Sequence, residues 1–139
     1  MMQRFKAACA QHPEVPRPKI MVLRHTYVAD GEADARQGAD ELNRFYNYFG
    51  AWFKNERPVS QGLIAPLSEE EIAAHPFFSP EAMRRNNIVG EAPEVIERLA
   101  HYEALGYDEF AFWIDSGMTF ERKRASLERF LRDVMPYFS

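Results

Sequence analysis

Cysteine is almost missing from this sequence: Cys9 is the only one in 139 residues. A lone thiol can close no internal disulfide and build no cysteine zinc site, so the chain suits a reducing, cytoplasmic setting. Long apolar runs are missing too. No segment approaches the roughly 18 apolar residues of a membrane span. The opening Met1-Met2-Gln3-Arg4-Phe5-Lys6 has no apolar stretch behind its charges. No membrane partner is expected. Nor does either charge dominate: 17 Lys and Arg stand against 21 Asp and Glu, a net charge of -4. Phosphate backbones and anionic membranes call for a clustered basic face, so nucleic acid is not an expected partner either. The basic residues between Arg122 and Arg132 alternate with Glu121, Glu128 and Asp133 and read as a solvated face. The chain carries no GxGxxG, Walker loop, HExxH or Ser-His-Asp order. His12, His75 and His101 are scattered without metal-ligand spacing.

Apolar material is plentiful, with 46% hydrophobic and 14% aromatic residues, enough for the core of one domain spanning 1–139. Residues 1–12 read as the tail of a helix, with Phe5, Ala8 and Cys9 on one face and no N-cap before them, which suggests missing upstream sequence. Pro13, Pro16 and Pro18 impose an extended connection. Ile20 to Val28 predicts a strand, and Asp30 a cap for a helix over about 31–53. The apolar stripe of that helix is Ala35, Ala39, Leu42, Tyr46, Phe49 and Phe53. Gly38 in its interior suggests close packing. Residues 54–86 form an irregular insertion, too long for an ordinary connection and therefore functional or a lid. Ser68-Glu69-Glu70-Glu71 is a capping box there, and Ser79-Pro80 starts a second short helix. Asn87 to Gly90 is a short strand. Pro93 opens a helix that Gly106 closes in left-handed form. Asp108 to Ile114 is a strand apolar on both faces, as in a buried parallel sheet. A final helix covers about 119–137. Strands alternating with helices predict an α/β fold with a parallel sheet and right-handed crossovers.

Ile88-Val89-Gly90-Glu91-Ala92-Pro93-Glu94-Val95-Ile96-Glu97-Arg98-Leu99, followed by Ala104-Leu105-Gly106-Tyr107-Asp108-Glu109-Phe110, resembles the closing pattern of the luciferase-like flavin-dependent monooxygenases (the bacterial luciferase family). Asp133-Val134-Met135-Pro136 resembles that family's C-terminal ending. Tyr27-Val28-Ala29-Asp30-Gly31-Glu32-Ala33-Asp34-Ala35 is similar to its strand followed by an acidic, alanine-rich helix start. The resemblance implies a C-terminal portion of a (β/α)8 TIM barrel, about three parallel strands with helices. A closed barrel takes roughly 250 residues. It further implies reduced FMN supplied by a reductase, a flavin peroxide that inserts oxygen into a small-molecule substrate, or in some relatives a deazaflavin that transfers hydride. The family's Gly-rich phosphate-binding stretch has no counterpart here, so the isolated chain need not bind flavin.

The resemblance also singles out residues. His25, on the first strand, is either a flavin-facing catalytic histidine or a hydrogen-bonded core histidine. Alternation puts Tyr27 on the same face and Arg24 on the opposite one. Arg84 and Arg85 suit a bidentate grip on phosphate or sulfonate, or are a solvated pair at a helix end; Lys54 and Arg57 belong to the same irregular region. Trp113, Asp115 and Ser116 lie at the C-terminal end of the last strand, the active-site end of such a barrel. There Trp113 lines a flavin or substrate pocket or packs in the core, and Asp115 binds or caps a loop. The aromatic run Phe45, Tyr46, Tyr48, Phe49, Trp52 and Phe53 suggests a cofactor box, but reads rather as a helix on the barrel wall with a dimer face. A competing reading is a non-catalytic remnant or α/β oligomerisation module. It would oligomerise through open sheet edges and the aromatic helix. The partner expected besides small molecules is another copy of the chain, as a homo-oligomer, or the missing N-terminal half of a barrel.

Overall fold

A computed structural model describes residues 2–138; residues 1 and 139, the ends of the expected domain and helix, lie outside the described residues. The chain runs α1 (Met2–Gln11), β1 (Met21–Val28), α2 (Glu32–Lys54), β2 (Val59–Ser60), β3 (Leu63–Ile64), α3 (Glu69–Ala73), α4 (Pro80–Asn86), β4 (Ile88–Gly90), α5 (Ala92–Leu105), β5 (Glu109–Trp113) and α6 (Phe120–Arg129). After α6 the helix widens into a π-type turn, Phe130–Val134, and closes as a 3-10 turn, Met135–Tyr137. Pro136 lacks the amide needed to continue the regular ladder. No helix among the described residues is long and apolar enough to cross a membrane.

The three main strands are parallel, in the order β4-β1-β5. Met21 to His25 of β1 pair with Glu109 to Trp113 of β5. Thr26 to Val28 pair with Ile88 to Gly90 of β4 on the other edge. The sheet is therefore open, not a closed barrel. Its order is not sequential either, because the short β4 reaches only the last three residues of β1.

Alternation along β1 divides the packing. Val28 and Ile88 join Val95 and Leu99 of α5 and Val134 in one buried cluster, with Phe110 and Phe130 against it. Tyr27 and Val89 join Ala35, Ala39 and Leu42 of α2, with Ala82, Met83 and Met118, in the other. Gly38 is where α2 rests on the Tyr27 ring: a Cβ there would sit 2.7 Å from Tyr27 Cδ1. The helix thus approaches to a distance only glycine allows.

The start of the sheet is pinned by Asp108. Its carboxylate accepts two hydrogen bonds of 2.9 Å from Arg17 and one of 2.8 Å from the Ile20 amide. The far end is held by α6, whose Ser126 hydroxyl accepts from the Val28 amide at 2.7 Å.

Four expectations change in detail. Asp30 does not cap α2. Gly31 occupies the N-cap, and the Asp34 carboxylate reaches back to the Asp30 amide at 2.8 Å. An acceptor already on the first turn makes an Asp30 cap unnecessary. The stripe of α2 is buried only in its first half: Phe49, Trp52 and Phe53 are exposed. The sheet is not covered on both faces, since Met21, Leu23 and Trp113 are 54%, 43% and 37% exposed. The irregular insertion contains an antiparallel hairpin, β2-β3. Its two-residue turn, Gln61-Gly62, has positive φ at both positions, as tight hairpins require. Arg57 ties this segment together, donating to the carbonyls of Ala65 and Pro66 and to Glu71. The Ser68–Glu71 capping box and the Ser79 cap form as expected.

Candidate functional site

Parallel pairing sets His25 directly beside Trp113. Cross-strand partners share a face, and the two rings stack with centroids 4.2 Å apart and planes 20° apart. Phe45 and Tyr46 of α2 close on the imidazole at 5.4 and 5.2 Å. Ser116, in the loop after β5, has its Oγ 3.0 Å from His25 Nδ1. His25 is 5% exposed and Ser116 1%. Burial pushes the His25 pKa below its ordinary value, against smaller upward pulls from the Asp115 carbonyl and carboxylate. The imidazole is therefore neutral at neutral pH. Its ring borders a cavity of about 280 Å³ lined by Leu23, Tyr46, Phe78, Met83, Asn87 and Trp113 among others.

The structure thus brings together His25, inside β1, and Trp113, the last residue of the neighbouring parallel strand β5. Tyr27 shares the face but not the cavity. It lies under α2 with its hydroxyl donating to Asp34 at 2.9 Å, and Arg122 stands over its ring at 5.2 Å. Burial and the Asp34 carboxylate raise its pKa well above the phenol range. Asp115 is exposed and pairs with Lys123 at 3.0 Å.

Arg84 and Arg85 diverge. Arg84 grips both carboxylate oxygens of Glu32 at 2.8 and 2.7 Å and reaches Glu94 at 3.1 Å. It joins α2, α4 and α5, and holds the Glu32 carboxyl down at about 2. Arg85 is exposed. It borders a larger cavity of about 730 Å³ with Arg98, Glu97 and His101. Neither arginine lines the His25 cavity, though Asn87 lines both.

Tyr46, Phe78 and Asn87 join the site without having been singled out. For Tyr46 the signal was there, because helical spacing from Leu42 aims it at the strand. Phe78 and Asn87 come from the irregular segment, whose path no periodicity foretells.

The matches to known proteins now bear on these residues. The family model of the luciferase-like monooxygenases matches residues 1–109. The chain belongs to this family. The oxygenase component of a flavin-dependent trigonelline monooxygenase from Acinetobacter baylyi is 66% identical over 139 residues, a match that takes in 100% of this chain and 39% of that protein. The luciferase-like chain thus spans well under half the length of that relative.

A flavin ring needs flat apolar walls and its phosphate needs convergent donors. Here the first requirement is met in part, by Trp113, His25, Tyr46 and Phe78. The second is not: Arg84 is already paired, and Arg85 faces another cavity. A cavity of about 280 Å³ also falls just under the roughly 300–1,000 Å³ usual for ligand pockets. The described residues fit one wall of a flavin or substrate site.

Proposed function

We propose that this chain is the C-terminal portion of a flavin-dependent monooxygenase and supplies one side of its flavin and substrate pocket. In this reading β1 and β5 are adjacent staves of a (β/α)8 barrel, and β4 is a short flanking strand. The observation that carries it is the stacked His25–Trp113 pair. Trp113 ends β5 and stacks on His25 in the middle of β1, beside an apolar sheet face, Met21 and Leu23, that is about half exposed. In a barrel ligands bind at the C-terminal ends of the strands, where Trp113 stands.

Reduced FMN, delivered by a reductase and reacting with oxygen, would supply the oxidising chemistry. The chain's own residues do the rest. Trp113 and Tyr46 offer ring faces to a flat ligand. The neutral His25 holds or accepts a proton at its ring nitrogen. Arg85, without a carboxylate partner among the described residues, suits an anionic group in the larger cavity that it borders. The relative acts on trigonelline, a flat pyridinium carboxylate. We extend that substrate class to this chain, since aromatic faces favour a cationic ring. A cytoplasmic location goes with the reading.

The test is a fluorescence titration of reduced and oxidised FMN, with this chain alone and with the chain joined to the remaining barrel strands of the relative. Flavin binding by the joined form that weakens at least tenfold in Trp113→Ala supports the reading. Equal affinity in Trp113→Ala removes it. The exposed Phe49, Trp52 and Phe53 favour a second reading, a non-catalytic oligomerisation module. A stable homo-oligomer on sizing, with no flavin binding in either form, would establish that instead.

A further inference from the structure

Ser116 is 1% exposed, and its hydroxyl is engaged by one side chain, His25 Nδ1 at 3.0 Å. The loop around it is held on both sides. Gly117 adopts φ +84, and a Cβ there would lie 3.2 Å from Phe45 Cβ, so the loop lies tight under α2. Met118 is buried in the α2 core cluster. Thr119 then caps α6, its hydroxyl accepting from the Arg122 amide. Gly117, Met118 and Thr119, the three residues that follow, therefore fix where the Ser116 oxygen stands. Trp113 fixes the plane of the imidazole by stacking, and Ser116 fixes its rotation within that plane. A buried hydroxyl at one ring nitrogen accepts from it when it carries the proton and donates to it when it does not, so this contact couples Ser116 to the tautomer of His25.

We propose that Ser116 is a positioning residue for His25: it accepts a hydrogen bond from Nδ1–H and so leaves Nε2 unprotonated as the nitrogen that meets substrate. The proposal rests on His25 working in the pocket described above. It matters because free neutral imidazole favours the opposite tautomer, with the proton on Nε2. Without Ser116 the ring would present a donor where the site offers an acceptor.

The test is nitrogen-15 NMR of the imidazole groups in the whole chain at a pH where His25 is neutral, with His25→Gln identifying its resonances among the four histidines. The expected result is a dominant Nδ1–H tautomer in the native chain. That dominance is lost in Ser116→Ala and restored in Ser116→Thr, which keeps the hydroxyl. A native chain with its proton on Nε2 overturns the proposal, as does a Ser116→Ala chain that keeps Nδ1–H. Should the alanine variant not fold, the native tautomer and Ser116→Thr still decide, because both must show Nδ1–H. Failure of flavin to bind would leave these spectra unchanged, so the two readings fail separately.

Discussion

The two faces of the sheet are built from the same strands and meet opposite fates. On one, Val28 and Ile88 vanish under α5 and the turn that carries Val134. On the other, α2 covers only the C-terminal end, Tyr27 and His25, and leaves Met21 and Leu23 in solvent. Alternation makes both faces apolar, so composition does not explain the difference. What differs is the supply of covering elements. The bare face teaches that an apolar strand pattern does not itself bring a cover, and an open apolar patch of this kind marks a contact surface.

Matched truncations sharpen that contrast most. Ile88→Ala on the covered face should cost about 2–4 kcal/mol. Leu23→Ala on the bare face should stay within about 0.5 kcal/mol. Urea unfolding of the two variants measures both, and equal losses would mean that something covers Leu23 in solution. Next, Gly38→Ala drives a methyl into the Tyr27 ring and should cost about 1–3 kcal/mol. In a Tyr27→Val background the same change should cost much less, and a double-mutant cycle reads the coupling.

His25 gives a pH-dependent contrast. Its folded pKa lies below its unfolded value, so the unfolded chain binds the proton more readily. The contribution is present above about pH 6.5, the ordinary histidine pKa, and is lost as pH falls through the folded value. The urea midpoint should therefore drop on acidification by more in the native chain than in His25→Gln. Identical pH profiles would show that His25 is not buried as described. The smallest effect belongs to Met21→Lys with Leu23→Lys. Stability should change by under about 1 kcal/mol, while binding of an apolar dye to the bare face falls. Unchanged dye binding would move the exposed patch elsewhere, to Phe49, Trp52 and Phe53.

Periodicity and turn chemistry made most of the fold legible. The order of helices and strands, the Ser68–Glu71 box, the Ser79 cap and the left-handed Gly106 all follow from local rules that tertiary contacts did not override. The β2-β3 hairpin escaped notice because its strands are two residues each, too short for alternation to register, although the glycine after Gln61 marked the turn. In the site, Trp113 was legible because strand ends are, and His25 because the family resemblance pointed to it. Their stacking was not, because it depends on the β1–β5 register, which joins residues 88 positions apart.

By itself the sequence determined the main helices and strands, the parallel arrangement of the three-stranded sheet and the family, because these follow from hydrogen-bonding periodicity and from motifs read along the chain. Only the tertiary structure decided that β1 lies between β4 and β5, that Arg84 is already paired with Glu32 and Glu94, and that Ser116 addresses Nδ1 of His25. Each of these is a contact across long loops, fixed by which surfaces bury one another, and no local pattern encodes that choice.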